Sequence, residues 1–307
     1  MASRDAVMVL VHFWSPELER HVARIRRESE GLCDVYVAFN LDRRTELPPG
    51  LKPEIVVTLE KCAAVQPRRY AEWKARNMES IYHFTDLVMM AALTDPVLAP
   101  YEYIWFVEYD VDYSGNWGDF FRRARDYSGD LLCTHLRTRT EYPNFDHWFW
   151  YAQPDWVTVD AVRGFFPISR FSHRALRTIV TEMEKPGWKG HFELVYPTIA
   201  AACGLTISDL GDRGSFTPPE RENQNYSRAE RTHRFRPPRV YRYYGDDPRP
   251  YRYRDRIHHP VKAEWTRGQR IKEELRSIWH RANIHLPPFI WVRKVLGLGP
   301  VRPKIGQ

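Results

Sequence analysis

The sequence YIWFVEYDVD, residues 103–112, places three carboxylates directly behind an apolar, aromatic and β-branched run. The run predicts a buried strand. Glu108, Asp110 and Asp112 follow at alternate positions, so in an extended chain their side chains should point to one side. Acids this close repel one another unless a metal ion or a basic partner neutralises them. Oxygen-rich ligation of this kind suits a hard cation such as Mg²⁺ or Mn²⁺.

Strands and helices are predicted to alternate around this stretch. The predicted elements are strand 6–13, a helix from Ser15 to Gly31, strands 34–40 and 54–59, helix 77–93, strand 103–107, helix 119–125, strands 130–134 and 164–169, helices 172–184 and 192–203, and strand 205–210. This order predicts an α/β fold with a mostly parallel sheet flanked by helices. Ligands of such sheets bind beyond the carboxyl ends of the strands, which is where the three acids fall.

Length and net charge limit the classes of protein to which this sequence can belong. A chain of 307 residues with 43% hydrophobic content can form one large domain, or one domain with an appendage. The net charge of +7 indicates an anionic partner, which could be a nucleotide, an acidic glycan, a nucleic acid or an anionic membrane. The alternative is a solvated basic surface with no specific partner.

Cysteine usage and hydropathy predict a cytoplasmic location. Cys33, Cys62, Cys133 and Cys203 lie far apart and none forms a CxxC pair, which favours reduced thiols over a zinc ribbon or a redox motif. The first residues lack the pattern of a secretory signal peptide. No run approaches the ~18 apolar residues that a membrane-spanning helix needs.

A strand that ends in an acidic cluster after three β units resembles the GT-A class of nucleotide-sugar glycosyltransferases. That class carries a DxD-type motif at this place, on a single Rossmann-like α/β domain. The motif could be Glu108-Tyr109-Asp110 or Asp110-Val111-Asp112. The first register fits better, because the family's motif follows directly on an apolar run such as residues 104–107.

The resemblance implies a metal-dependent transfer of a sugar from a nucleotide-diphosphate donor to a glycan, lipid-linked or polysaccharide acceptor. Mn²⁺ or Mg²⁺ would neutralise the charge that develops on the diphosphate as the glycosidic bond breaks. Asp110 belongs to both registers and is a predicted metal ligand, together with Asp112. Glu108 is predicted to face the nucleoside or a metal-bound water. The alternative is a surface turn over residues 112–115.

A second feature is the stretch RIHHPVK, residues 256–262. It is similar to the late segment from which many GT-A enzymes return a histidine to the metal and the diphosphate. His259, before a proline, is the predicted metal ligand, with His258 as second choice. Lys262 is predicted to contact the phosphates. Two exposed histidines before a helix are the alternative.

Two carboxylates are candidates for a general base. Glu193 follows a glycine-bearing loop and lies in the first turn of an apolar helix, and inverting GT-A enzymes carry an acid in a comparable place to deprotonate the acceptor hydroxyl. The alternatives are a charge that only stabilises the helix dipole, or acceptor binding in a retaining enzyme. Asp146 is the second candidate, within the aromatic loop FDHWFWY of residues 145–151, which is either a sugar-stacking surface or a hydrophobic plug.

Donor contacts are predicted from the ends of the first two strands. Trp14 is placed to stack on the base of the nucleotide, and Asp42 to hydrogen-bond the ribose or the base. A sugar-nucleotide pyrophosphorylase, which shares this type of fold, is an alternative function. It would carry a glycine-rich loop after the first strand, whereas residues 12–17 contain no glycine.

The chain is predicted to divide into a catalytic domain, 1–214, an irregular segment rich in Arg, Tyr and Pro, 215–262, and a C-terminal helix with a basic tail, 263–307. The tail around residues 290–296 suits peripheral contact with the inner face of an anionic membrane, or it packs on its own domain. A rival from another class is a nucleic-acid-binding module built on residues 234–256. That rival is disfavoured because it leaves the acidic strand end unexplained.

Overall fold

The protein has a mixed α/β fold built on a seven-stranded sheet. The computed structural model describes residues 5–42, 46–76, 84–234, 238, 240–273 and 275. The strand order in the sheet is β3-β2-β1-β4-β7-β6-β8, and a separate two-stranded ribbon pairs β5 with β9. All strands of the large sheet run parallel except β7, which is antiparallel to β4 and β6. The predicted fold class, α/β with a mostly parallel sheet flanked by helices, is confirmed.

The strands are β1 Asp5–Val11, β2 Cys33–Asp42, β3 Ile55–Thr58, β4 Tyr103–Glu108, β5 Asp112–Tyr113, β6 Leu131–Thr138, β7 Val162–Ser172, β8 Ile207–Asp209 and β9 Ile257–His258. The helices are α1 Pro16–Glu28, α2 Leu59–Val65, α3 Pro67–Ala75, α4 Thr85–Leu93, α5 Trp117–Arg125, α6 His173–Met183 and α7 Phe192–Ala202. Helices α2 and α3 and strands β5 and β9 were not predicted. Residues 77–83 of the predicted helix 77–93 lie outside the described residues.

Each face of the sheet is covered by its own helices, because alternate residues of a strand point to opposite faces. Met8 of β1 and Phe106 of β4 belong to the core beneath α4, α6 and α7. Val9 and Trp105, their neighbours in sequence, belong to the core beneath α1 and α5. Both faces are buried, which is why these strands read as continuous apolar runs rather than as alternating patterns.

The carboxyl edge of the sheet collects the chain ends on which the site is built. The parallel strands β1, β2, β4 and β6 all end there, at Val11, Asp42, Glu108 and Thr138. Because β7 runs the other way, its first residues, from Val162, start at the same edge. Helix α7 packs on β7, with the Thr198 hydroxyl donating to the Val162 carbonyl over 3.1 Å.

The irregular segment predicted over 215–262 is mostly without helix or strand, and its last part returns to the sheet edge. Asp112 pairs with His258, and Tyr113 with Ile257, in the β5–β9 ribbon. The C-terminal helix predicted within residues 263–307 begins at residue 267. None of the helices within the described residues is long and apolar enough to cross a membrane. Residues 276–307, with the predicted membrane-contacting tail, lie outside the described residues.

Candidate active site

The chain turns immediately after β4. The Val111 N–H donates to the Glu108 carbonyl over 3.0 Å, and residues 109 and 110 form the turn. The Tyr243 hydroxyl holds the outside of the turn by donating to the Tyr109 carbonyl over 2.8 Å. The expectation that three alternate acids face one side was therefore wrong, because it assumed an extended chain beyond Glu108.

Residues 240–262, called the returning segment below, bring two basic side chains to this turn. After β9, the Val261 N–H donates to the Asp110 carbonyl over 2.8 Å. The His259 N–H donates to the Thr232 carbonyl over 2.9 Å. These backbone bonds fix the segment on both sides, so that His259 and Lys262 lie against Asp110.

Glu108, Asp110 and His259 form a group that could hold a metal ion. One ligand atom from each lies within 4.8 Å of the other two. His259 Nε2 is 3.5 Å from Asp110 Oδ1 and 3.8 Å from Glu108 Oε2. The other ring nitrogen, Nδ1, is 2.6 Å from the Arg234 carbonyl oxygen. A histidine whose Nδ1–H donates to a carbonyl presents Nε2 as a ligand, which is the usual arrangement at metal sites.

The hydrogen bonds of the Asp110 carboxylate indicate whether this group suits a cation. Its Oδ2 accepts a 2.5 Å hydrogen bond from Lys262 Nζ, whereas Oδ1 is buried, accepts no hydrogen bond from the described residues and lies 3.5 Å from His259 Nε2. A buried carboxylate oxygen without a partner is costly. A cation on Oδ1 would satisfy it, and two carboxylates with one imidazole are a donor set that suits Mn²⁺.

Charge in the group is shared among four side chains. Burial alone would raise the pKa of Asp110, but His259 and Lys262 outweigh it and hold that pKa well below its usual range. Burial, reinforced by Asp110, raises the pKa of Glu108 to about 7. Burial opposes protonation of His259, yet Asp110 and Glu108 raise the pKa of the imidazole. Both shifts favour protonation of Glu108 and His259, which lowers the negative charge of the group, as a divalent cation would.

Asp112 lies apart from this group and is enclosed by other partners. Its side chain is fully buried, and Arg24 Nη1 of α1 donates to Oδ1 over 3.0 Å. The Tyr251 hydroxyl and the Tyr244 N–H each donate to Oδ2 over 2.6 Å. With both oxygens occupied by protein donors, the carboxylate joins α1 to the returning segment. The structure does not bring Asp112 to the group of Glu108, Asp110 and His259, because the turn after β4 reverses its direction.

Glu193 lies in the first turn of α7, at the same edge of the sheet. Its side chain is 12% exposed, and His191 Nδ1 lies 3.6 Å from Oε2. Burial raises the pKa of Glu193 to about 7; Glu108 adds to this rise, while Arg163 and His259 oppose it. These interactions place Glu193 within electrostatic range of the group at Asp110.

The remaining predicted residues are positioned less specifically. Trp14 follows β1, is half-buried and packs against the core beneath α1 and α5. Asp42 is the last residue of β2 and Asp146 the first of a short 3₁₀ helix, 146–150, but both side chains lie outside the described part of the chain. Lys262 contacts Asp110 and donates to the Tyr109 hydroxyl over 2.6 Å. The donor and base roles of these residues stay predictions.

The basic residues beside Asp112 and Glu193 were not predicted from the sequence. Arg24 and His21 are buried on α1 next to Asp112, and burial lowers the pKa of His21. Their position at the edge of the apolar stripe of α1 was the signal that could have found them. Arg163 stands in the sequence VRG at the start of β7, with no local pattern that marks it. It is half-buried near Glu193.

Comparisons with known proteins give a distant likeness. No family model matches the chain, and no curated protein matches it. Among solved structures, the mannosyltransferase Ktr4p from S. cerevisiae matches over 68% of this chain and 68% of its own, with 13% sequence identity and a TM-score of 0.37. A likeness this distant says nothing about the reaction.

Proposed function

We propose that this protein is a metal-dependent glycosyltransferase of the GT-A type. It would move a sugar from a nucleotide-diphosphate donor to a glycan, lipid-linked or polysaccharide acceptor, with inversion at the anomeric carbon. The observation that carries the proposal is the group of Glu108, Asp110 and His259, whose ligand atoms lie within 4.8 Å of one another at the carboxyl edge of the sheet. Ligands of parallel α/β sheets bind at that edge.

The residues of the site fit Mn²⁺ or Mg²⁺. Asp110 would bind the cation through Oδ1, with Glu108 and His259 Nε2 as further ligands, which transfers the metal role predicted for Asp112 to Glu108. A bound divalent cation supplies charge neutralisation to the diphosphate leaving group. Lys262, freed from Asp110, would reach the phosphates. Trp14 and Asp42 remain the proposed contacts of the nucleoside.

Glu193 is the proposed general base. A base works best when its pKa is close to the working pH, and the pKa of Glu193 is raised to about 7. Its carboxylate would take the proton from the acceptor hydroxyl as that oxygen attacks the anomeric carbon. Asp146 remains the second proposed base.

The nucleic-acid alternative loses two of the aromatic rings in residues 234–256, where Tyr241, Tyr244 and Tyr253 stay half-buried. Tyr243 and Tyr251 are buried and hydrogen-bond to the Tyr109 carbonyl and to Asp112. Rings enclosed in the core cannot stack on bases. We retain a cytoplasmic location, with contact at the inner face of the membrane, as part of the proposal; four free cysteines fit a reducing compartment.

Calorimetric titration with UDP, GDP and CDP, with and without Mn²⁺, tests the proposal. We expect one of the three nucleotides to bind only when Mn²⁺ is present, and Asp110→Asn to abolish that binding. Asp119→Asn is the matched control, because Asp119 is an exposed aspartate on α5. Nucleotide binding that depends neither on Mn²⁺ nor on Asp110 would refute the proposal.

A further inference from the structure

Two arginines stand directly opposite each other at the carboxyl edge of the sheet. Arg137 near the end of β6 pairs with Arg163 near the start of β7. Directly opposite residues of an antiparallel pair share one face, and like charges in that position are destabilising. A sheet that keeps two such cations together needs an anion nearby.

The protein supplies an anion to only part of this pair. Asp212 Oδ2 accepts a hydrogen bond from Arg137 Nη2 over 2.7 Å and forms an ion pair with Arg228, whose Nε lies 3.1 Å away. Glu141, the other acid close to Arg137, accepts instead from the backbone N–H groups of Thr138 and Ser215. The available carboxylates are therefore engaged away from Arg163.

Arg163 itself makes no ion pair within the described residues, and its buried Nε has no hydrogen-bond partner. The guanidinium lies over the Phe145 ring at 4.0 Å and over the Tyr142 ring at 5.5 Å. Arg228 lies over the same Tyr142 ring at 5.3 Å. Ring contacts use the face of a guanidinium and leave the N–H groups on its edge free to bind an anion. Burial lowers the pKa of Arg163; Glu193 opposes this shift without outweighing it, and the nearby Arg228 adds to it.

The position of Arg163 relative to Glu193 indicates which substrate the pair would contact. Glu193 attracts the Arg163 guanidinium, and it also interacts with Glu108 and His259 of the metal-binding group. If Glu193 takes the proton of the acceptor hydroxyl, a group bound at Arg163 belongs to the acceptor. Tyr142 and Phe145 offer apolar ring surface to a saccharide beside that group.

We propose that Arg163, with Arg228, binds an anionic group carried by the acceptor saccharide, either a sugar carboxylate or a phosphate monoester. This inference rests on the proposed function and narrows its acceptor to acidic saccharides. Both anions accept paired hydrogen bonds from a guanidinium fork. The preference for acidic saccharides would then depend on Arg163 and Arg228, and not on the metal or the nucleotide.

Ligand-observed NMR titration tests this with three probes: methyl β-D-glucuronide, glucose 6-phosphate and the neutral methyl β-D-glucoside. We expect the wild-type protein to bind at least one anionic probe about tenfold more tightly than the neutral one; the arm that binds identifies the carboxylate or the phosphate as the source. Arg163→Met keeps an apolar chain on the Phe145 ring and should abolish the preference. Arg163→Lys should keep part of it, and Arg228→Met should weaken it.

Arg122→Met is the matched control, because Arg122 is an exposed arginine on α5, and it should leave the preference unchanged. Equal binding of all three probes to the wild type, or an undiminished preference in Arg163→Met, would overturn the inference and leave Arg163 as a partner of Glu193 only. Manganese-dependent nucleotide binding, measured on the same Arg163→Met sample, separates the two proposals. If nucleotide binding still depends on Mn²⁺ while the wild type shows no preference among the probes, the acidic acceptor is rejected and the proposed function is not.

Discussion

Replacement of Asp112 separates a structural carboxylate from a metal ligand. Asp112→Ala removes the fully buried one of the two carboxylates that pair with the Arg24 guanidinium, whose side chain is 5% exposed, and leaves only Glu28. It also removes the acceptor of the Tyr251 hydroxyl and the Tyr244 N–H. Breaking a buried pair costs about 3–5 kcal/mol, and each abandoned donor about 1–3 kcal/mol. Because such losses overlap, we expect a decrease of about 5 kcal/mol in the free energy of unfolding, a large part of the stability of a typical domain.

Urea denaturation, followed by tryptophan fluorescence, measures this loss. Asp112→Asn keeps one acceptor oxygen and should lose less. The double variant Arg24→Met, Asp112→Leu should recover only part of the stability, because it removes the stranded guanidinium but still leaves the Tyr251 hydroxyl and the Tyr244 N–H without their acceptor. A loss below about 1 kcal/mol in Asp112→Ala, together with loss of Mn²⁺ binding, would refute the assignment and return Asp112 to the metal site.

Three further predictions concern the group around Asp110. The folded state raises the pKa of Glu193 to about 7, so the wild type should lose stability as pH rises from 4.5 to 7. Glu193→Gln has no such proton to lose and should therefore be more stable than the wild type by about 3 kcal/mol at alkaline pH, with no difference in acid. Urea denaturation curves that show no pH-dependent difference between the two proteins would contradict this. Lys262→Met should leave Mn²⁺ binding intact or tighter but weaken Mn²⁺-dependent nucleotide binding about tenfold, by calorimetry; unchanged nucleotide affinity would exclude a phosphate contact. Mn²⁺ affinity should increase with pH, because Glu108 and His259 must lose their protons to bind the ion; titrations that give one affinity across pH would contradict that charge state.

The sheet and its carboxyl edge were predictable because they depend on local patterns. Strands of a parallel sheet that is buried on both faces are apolar throughout, so the apolar runs at residues 6–13 and 103–107 can be recognised as strands. Ser15 marks the start of α1, where its hydroxyl accepts from the Leu18 N–H over 3.3 Å. Acids at the end of such a strand then predict where a cation would bind.

The turn after Glu108 was not predictable, since distant residues hold it. Tyr243 binds the Tyr109 carbonyl from 134 positions away, and Val261 binds the Asp110 carbonyl. Without that knowledge, residues 108–112 read as an extended strand. Extended geometry would wrongly group Asp112 with Asp110.

The return of His259 was expected from a resemblance and not from any periodicity. The β9 strand has only two residues, so its pairing with β5 leaves no alternating pattern to detect. Arg163 was missed for a similar reason: one arginine in an apolar strand has no meaning until its cross-strand neighbour, Arg137, is known. Contacts of this kind are set by topology rather than by local sequence.

Electron paramagnetic resonance of Mn²⁺ tests the central claim most directly, because free and protein-bound Mn²⁺ give different signal intensities. The wild-type protein should remove one equivalent of Mn²⁺ from the free signal. Asp110→Ala and His259→Ala should abolish that uptake, whereas folded Asp112→Asn should retain it. A wild-type protein that leaves the free Mn²⁺ signal unchanged, or an Asp110→Ala variant that binds as the wild type does, would contradict a metal site formed by Glu108, Asp110 and His259.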